Sequence, residues 1–202
     1  WQITAVRNKH DTYIGELTTT IIEKLNRLGL GITNIIILIS KILGHLFFAK
    51  DFFAAWTMTP LLTVSTIFST LSLFLGAQFT ASKRSDLHLK SNIISMIANV
   101  ILNLILIKEM GIDGAAYGTM ISYFIVLVYR MVKTQGLIKL TFSKIKLYLM
   151  CVLLIVAATV TAVEQPGYLI ITVLLFAVSM LAYKSTIQQV VQGAFHMIAQ
   201  KK

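Results

Sequence analysis

The sequence predicts an all-α protein, a polytopic bundle of transmembrane helices, and three observations carry that prediction. Mean hydropathy is +0.79, with 56% hydrophobic and 13% charged residues, where soluble domains average ~25% charged. Two apolar runs, Asn92 to Ile107 and Ala115 to Val128, each reach with their flanks the ~20 residues that cross a ~30 Å hydrocarbon core as a helix. The cations fall in alternate loops. Only Lys41, Lys50 and Lys108 lie on one side and the other 15 of the 18 lysines and arginines on the opposite side, which makes the richer side cytoplasmic.

Taken in order, Trp1 to Val6 reads as the tail of a helix already under way, so residues 1–13 are expected to be the end of a preceding, truncated helix and a polar cytoplasmic turn. Six spans follow within 14–184, starting near residues 17, 54, 91, 113, 146 and 167. The first, Ile14 to Ser40, carries a polar and cationic stripe at helical period: Thr20, Lys24, Arg27, Gly31, Asn34 and Lys41. Lys24 and Arg27 either snorkel to the interface or, with Asn34, face an aqueous cavity and meet an anionic substrate. Ile42 to Asp51 is an amphipathic link. The span Phe52 to Ala81 is interrupted by Pro60, which removes a backbone hydrogen bond and kinks a helix. Its many hydroxyls either bond back to helix carbonyls or line a groove.

Ser82 to Lys90 reads as a basic loop, and a hairpin from Asn92 to Val132 follows it. Its expected hinge is Lys108-Glu109-Met110-Gly111-Ile112, with Asp113 capping the second helix. Gly114, Gly118 and Ser122 recur every four residues, a spacing that brings helix backbones close. Asn92, Ser95, Asn99 and Asn103 share one face of the first helix. Amides in a membrane need partners, so that face points at other helices or at a wet cavity. Met131 to Lys146 is again basic, and a tighter hairpin turns at Glu164-Gln165-Pro166. Residues 185–202 form a cytoplasmic amphipathic helix on the membrane surface.

Several chemistries have no counterpart in the sequence. The four histidines are dispersed, the eight acids show no DxxD or ExxE pairing, and no GxxxxGK loop is present. The reading is therefore a transporter, not an enzyme, with no cofactor. The net charge of +10 is mostly a topology signal and an attraction to anionic lipid, not a nucleic-acid footprint. Cys151 sits in an apolar run as a small hydrophobe.

The segment Ala98 to Ile107, followed by Gly111-Ile112-Asp113-Gly114-Ala115-Ala116-Tyr117-Gly118-Thr119, resembles a hairpin of bacterial polysaccharide flippases. These belong to the multidrug/oligosaccharidyl-lipid/polysaccharide exporter superfamily. The resemblance implies a fourteen-helix protein in two lobes, with this chain as most of the C-terminal lobe and a missing N-terminal lobe as its partner. It implies transfer of undecaprenyl-diphosphate-linked oligosaccharide across the bacterial plasma membrane by alternating access, with a cationic cavity. Lys24 and Arg27 would then meet the diphosphate or acidic sugars, and Asn34, Asn99 and Asn103 the sugar hydroxyls. Polysaccharide polymerase and glycosyltransferases are further candidate partners. Two other classes stay open: a cation-coupled drug or metabolite antiporter of the same superfamily, and a non-transporting scaffold for polysaccharide assembly.

Overall fold

The computed structural model describes residues 12–48, 50–137, 144–163 and 167–182. Every element in them is helical: α1 (Thr12–Phe47), a 3-10 helix (Lys50–Thr57), α2 (Met58–Ala81), α3 (Ser85–Met110), α4 (Ile112–Gln135), α5 (Lys144–Ala162) and α6 (Tyr168–Ala182). Gly15–Phe47, Ala55–Ala81, Ser85–Met110 and Ile112–Gln135 are long and apolar enough to cross a membrane, and Leu147–Ala162 is a shorter apolar helix. This fits a membrane protein. The expected preceding helix, the turn at Glu164-Gln165-Pro166 and the surface helix over 185–202 lie outside the described residues.

The distribution of side chains on α1 shows what solvent the bundle is built for. Its inward face carries Thr18, Asn26, Thr33, Asn34 and Ser40, all buried, while Leu28, Ile32, Ile35, Ile39 and Ile42 are exposed. Ile22, Leu30 and Ile37 are buried on the same face, so large aliphatics lie on both sides of α1 while the hydrogen-bonding residues are kept toward protein, the arrangement expected where lipid is as apolar as leucine. In water the same surface would be an aggregation hazard. Buried hydroxyls stay cheap by bonding back to their own helix, as Ser40 Oγ does to the Ile37 carbonyl at 2.7 Å and Ser65 Oγ to Leu61 at 2.8 Å.

The apolar core comes from α1, α2, α4 and α5, with Ile22, Leu61, Phe68, Leu71, Met120, Leu127 and Leu154 among its buried members. None of it comes from α3. That helix buries only Leu87 and Ser91 and lies at the edge, packed mainly on α4.

Several expected boundaries are corrected. Pro60 is the third residue of α2, directly after the change from 3-10 helix to α-helix, so the interruption expected of it falls near the start of the span, where a proline is best tolerated. The proposed link at 42–51 is instead the end of α1 and the start of the 3-10 helix. The basic loop shrinks to three residues, Ser82, Lys83 and Arg84, because α3 begins at Ser85 with Asp86 in its first turn. The five-residue hinge shrinks to Gly111 alone, whose φ of +62° with ψ of −138° is a combination that only glycine adopts without strain. Gly111, not Asp113, occupies the cap of α4. Asp113 sits in the first turn, where its charge still favours the helix, and its Oδ1 accepts from Thr57 Oγ1 at 2.9 Å.

The polar seam of the α3–α4 hairpin as candidate functional site

A one-residue turn fixes the register of two antiparallel helices, and the small residues of α4 let that register close. A Cβ on Gly114 would fall on the Leu106 carbonyl, and one on Gly118 would lie 3.0 Å from Asn103 Oδ1 and 3.3 Å from Asn103 N. One step further, Asn99 Nδ2 donates to Ser122 Oγ at 3.1 Å, and Ser122 Oγ in turn donates to the Thr119 carbonyl at 2.9 Å. Asn103 Nδ2 donates to Asn99 Oδ1 at 3.0 Å. The amides of α3 are thus seated on the small-residue row of α4. Asn103 Oδ1 is buried over Gly118 and has no hydrogen-bond partner among the described residues. The outer side of the same stretch is open: Asn99, Val100, Asn103, Leu104, Ile107 and Lys108 line a depression of about 420 Å³.

The row continues at steps of four to Arg130, about 24 Å from Gly114 along the helix. Arg130 is 3% exposed and reaches both neighbours: Nε to Ser91 Oγ at 3.0 Å and Nη2 to Asn92 Oδ1 at 2.6 Å on α3, and Nη1 to the Ser72 carbonyl at 2.8 Å on α2. The backbone gives way to it at Gly76, where a Cβ would stand 2.5 Å from Nη1. His88 closes the other flank, its Nδ1 3.1 Å from the Gly76 carbonyl, so that nitrogen carries the proton. All three acceptors of the guanidinium are neutral. Sequence reasoning counted Arg130 as a loop cation. The available signal was its place in the Gly114, Gly118, Ser122 row and opposite Asn92.

The α1 stripe is a separate feature. α1 packs on α2, α5 and α6, whereas α3 packs on α4 and α2. Lys24 is exposed. Arg27 Nη2 pairs with Glu23 Oε2 at 2.6 Å in the favourable i,i+4 order. Asn34 is 2% exposed and its Nδ2 donates to the Leu30 carbonyl at 2.8 Å. The structure therefore joins Asn99, Asn103, Gly114, Gly118 and Ser122 in one seam, and places Lys24, Arg27 and Asn34 along a helix that turns from exposed to buried. No group of three or more His, Cys, Asp or Glu side chains that could hold a metal occurs among the described residues.

No family model, curated protein or solved structure matches this chain.

Proposed function

We propose that the chain is part of a membrane transporter that carries an undecaprenyl-diphosphate-linked oligosaccharide across a bacterial plasma membrane by alternating access. In this reading it is a six-span lobe with its C-terminus in the cytoplasm, completed by a second lobe. The observation that carries the reading is the pair Asn99 and Asn103, which line an open depression on a membrane-length helix that contributes nothing to the apolar core. Sugar hydroxyls entering a bilayer need hydrogen-bond partners to offset several kcal/mol of desolvation. Each Nδ2 makes one seam bond and keeps a second N–H, and Asn99 Oδ1 keeps a second lone pair, for a sugar hydroxyl, while Val100, Leu104 and Ile107 give the depression the apolar walls that a lipid chain requires. Lys24, exposed on α1, and Arg27, half-buried beside it, are the cations for a diphosphate. Gly114, Gly118 and Ser122 hold the amide helix in place.

A second reading, a non-transporting scaffold for polysaccharide assembly, is favoured by one observation: Asn34, although a polar residue of the stripe, is only 2% exposed and so lies packed against protein. One experiment separates the two. In cells that depend on the full-length protein for surface polysaccharide, Lys24 and Arg27 are replaced by Gln, singly and together, and Asn99 and Asn103 by Ala. Transport predicts lost surface glycan and accumulated cytoplasm-facing lipid-linked precursor at unchanged protein level. Normal export in every variant removes these residues from a substrate path and leaves the scaffold.

A further inference from the structure

Arg130 is a buried cation whose charge no described residue balances. No described carboxylate is paired with it: the ion pairs between described residues join Arg27 to Glu23 and Arg84 to Asp86. Its bonds to Ser91, Asn92 and Ser72 use three of its five N–H donors. An unneutralised guanidinium is costly in low dielectric, so where its field emerges from the protein is the question.

Asn92 answers it. This residue is exposed, while its Oδ1 is held by Arg130 at 2.6 Å. An acceptor must face a guanidinium, so the amide orientation is forced and Nδ2, a pure donor, is left on the exposed side of the α3–α4 seam. No described acceptor engages that Nδ2, and the charged bond behind it polarises the amide and strengthens it as a donor. Lys133, one turn beyond Arg130 on α4, is also exposed, with Nζ 5.9 Å above the Tyr129 ring. Arg130 is five residues from the end of α4 at Gln135, about 7.5 Å along the axis. For a bilayer crossed by Ile112–Gln135, residues this near a helix end fall toward the headgroups.

We propose that this end of the seam binds the phosphate of an anionic phospholipid. A phosphate oxygen accepts from Asn92 Nδ2, Lys133 supplies a second positive contact, and Arg130 behind them provides the charge that the phosphate neutralises. Basic side chains between transmembrane helices near the cytoplasmic surface bind anionic headgroups in this way. The site is independent of what the protein transports.

The test uses the full chain in nanodiscs of phosphatidylcholine with and without phosphatidylglycerol, reading the thermal midpoint and the lipid retained in native mass spectra. The informative variant is Asn92→Asp. It keeps the acceptor for Arg130, so a merely structural clamp is preserved or strengthened, but it replaces the outward donor with a negative oxygen. We expect wild type to gain stability with phosphatidylglycerol, Asn92→Asp to lose that gain while staying at least as stable in pure phosphatidylcholine, and Lys133→Gln to retain the lipid about 5-fold less. Unchanged phosphatidylglycerol dependence in both variants overturns the site. Inorganic phosphate stabilising wild type in pure phosphatidylcholine as strongly as the lipid does overturns the lipid as the source.

Discussion

Three glycine-to-alanine changes, identical as chemistry, should give three different outcomes. At Gly31 on α1 nothing lies within 4 Å of an added Cβ, so the change gains only the helix propensity of alanine, about 0.5–1 kcal/mol of added stability. At Gly118 the Cβ meets Asn103 Oδ1 at 3.0 Å, and the amide has to yield against its bond to Asn99. Overpacking of that kind costs about 1–3 kcal/mol, which set against the propensity gain leaves a net loss of about 0–2.5 kcal/mol. At Gly114 the obstacle is backbone. The Cβ stands 2.7 Å from Ile107 N, with the Leu106 carbonyl closer, and ordinary contact begins at 3.4 Å, so α3 must withdraw by at least 0.7 Å. A gap of that size forfeits a quarter to a half of the dispersion at each seam contact, and the loss should exceed about 3 kcal/mol. Equilibrium unfolding in mixed detergent–SDS micelles, one variant at a time, gives the order directly. If Gly114→Ala proves as stable as Gly31→Ala, the register of the hairpin is wrong and the seam with it.

Two further outcomes follow from the packing. Gly76→Ala places a Cβ 2.5 Å from Arg130 Nη1 and should break the bond to the Ser72 carbonyl, costing about 1.5–3 kcal/mol in the same unfolding assay. Leu104 is 72% exposed, so in water a lysine there would be nearly neutral. In a bilayer Leu104→Lys should reduce insertion of the α3 segment by about 3 kcal/mol or more, measured as the inserted fraction in a glycosylation-mapped translocation assay.

The sequence allowed the hairpin to be read in some detail and its ends hardly at all. Residues four apart on α4 and three or four apart on α3 share a face whatever the tertiary structure, so the spacing alone groups Gly114 with Gly118 and Ser122, and Asn99 with Asn103. Turn length is different, because it depends on how many residues near a boundary finish their helical hydrogen bonds. Lys108, Glu109 and Met110 look like a polar hinge yet are held in α3 up to the glycine. Pro60 is a related case: composition says that a proline disturbs helical bonding, but not that the disturbance is a change from 3-10 to α-helix at the start of α2. Arg130 is hard to tell from a loop cation in the sequence, because it stands five residues from the end of α4. Only the spatial meeting of Ser72, Ser91 and Asn92 shows that this one turns inward.

The single-residue turn has a mechanical consequence. Helices joined by a flexible loop tilt separately when the bilayer thins or thickens. Here Gly111 and the closed seam couple α3, which has the surrounding medium on most of its surface, to α4, whose other side is built into the core through Met120, Leu127 and Met131. A tilt forced on the outer helix by hydrophobic mismatch is therefore delivered to the inner one. The thickness of the membrane becomes a load that the core of the bundle feels.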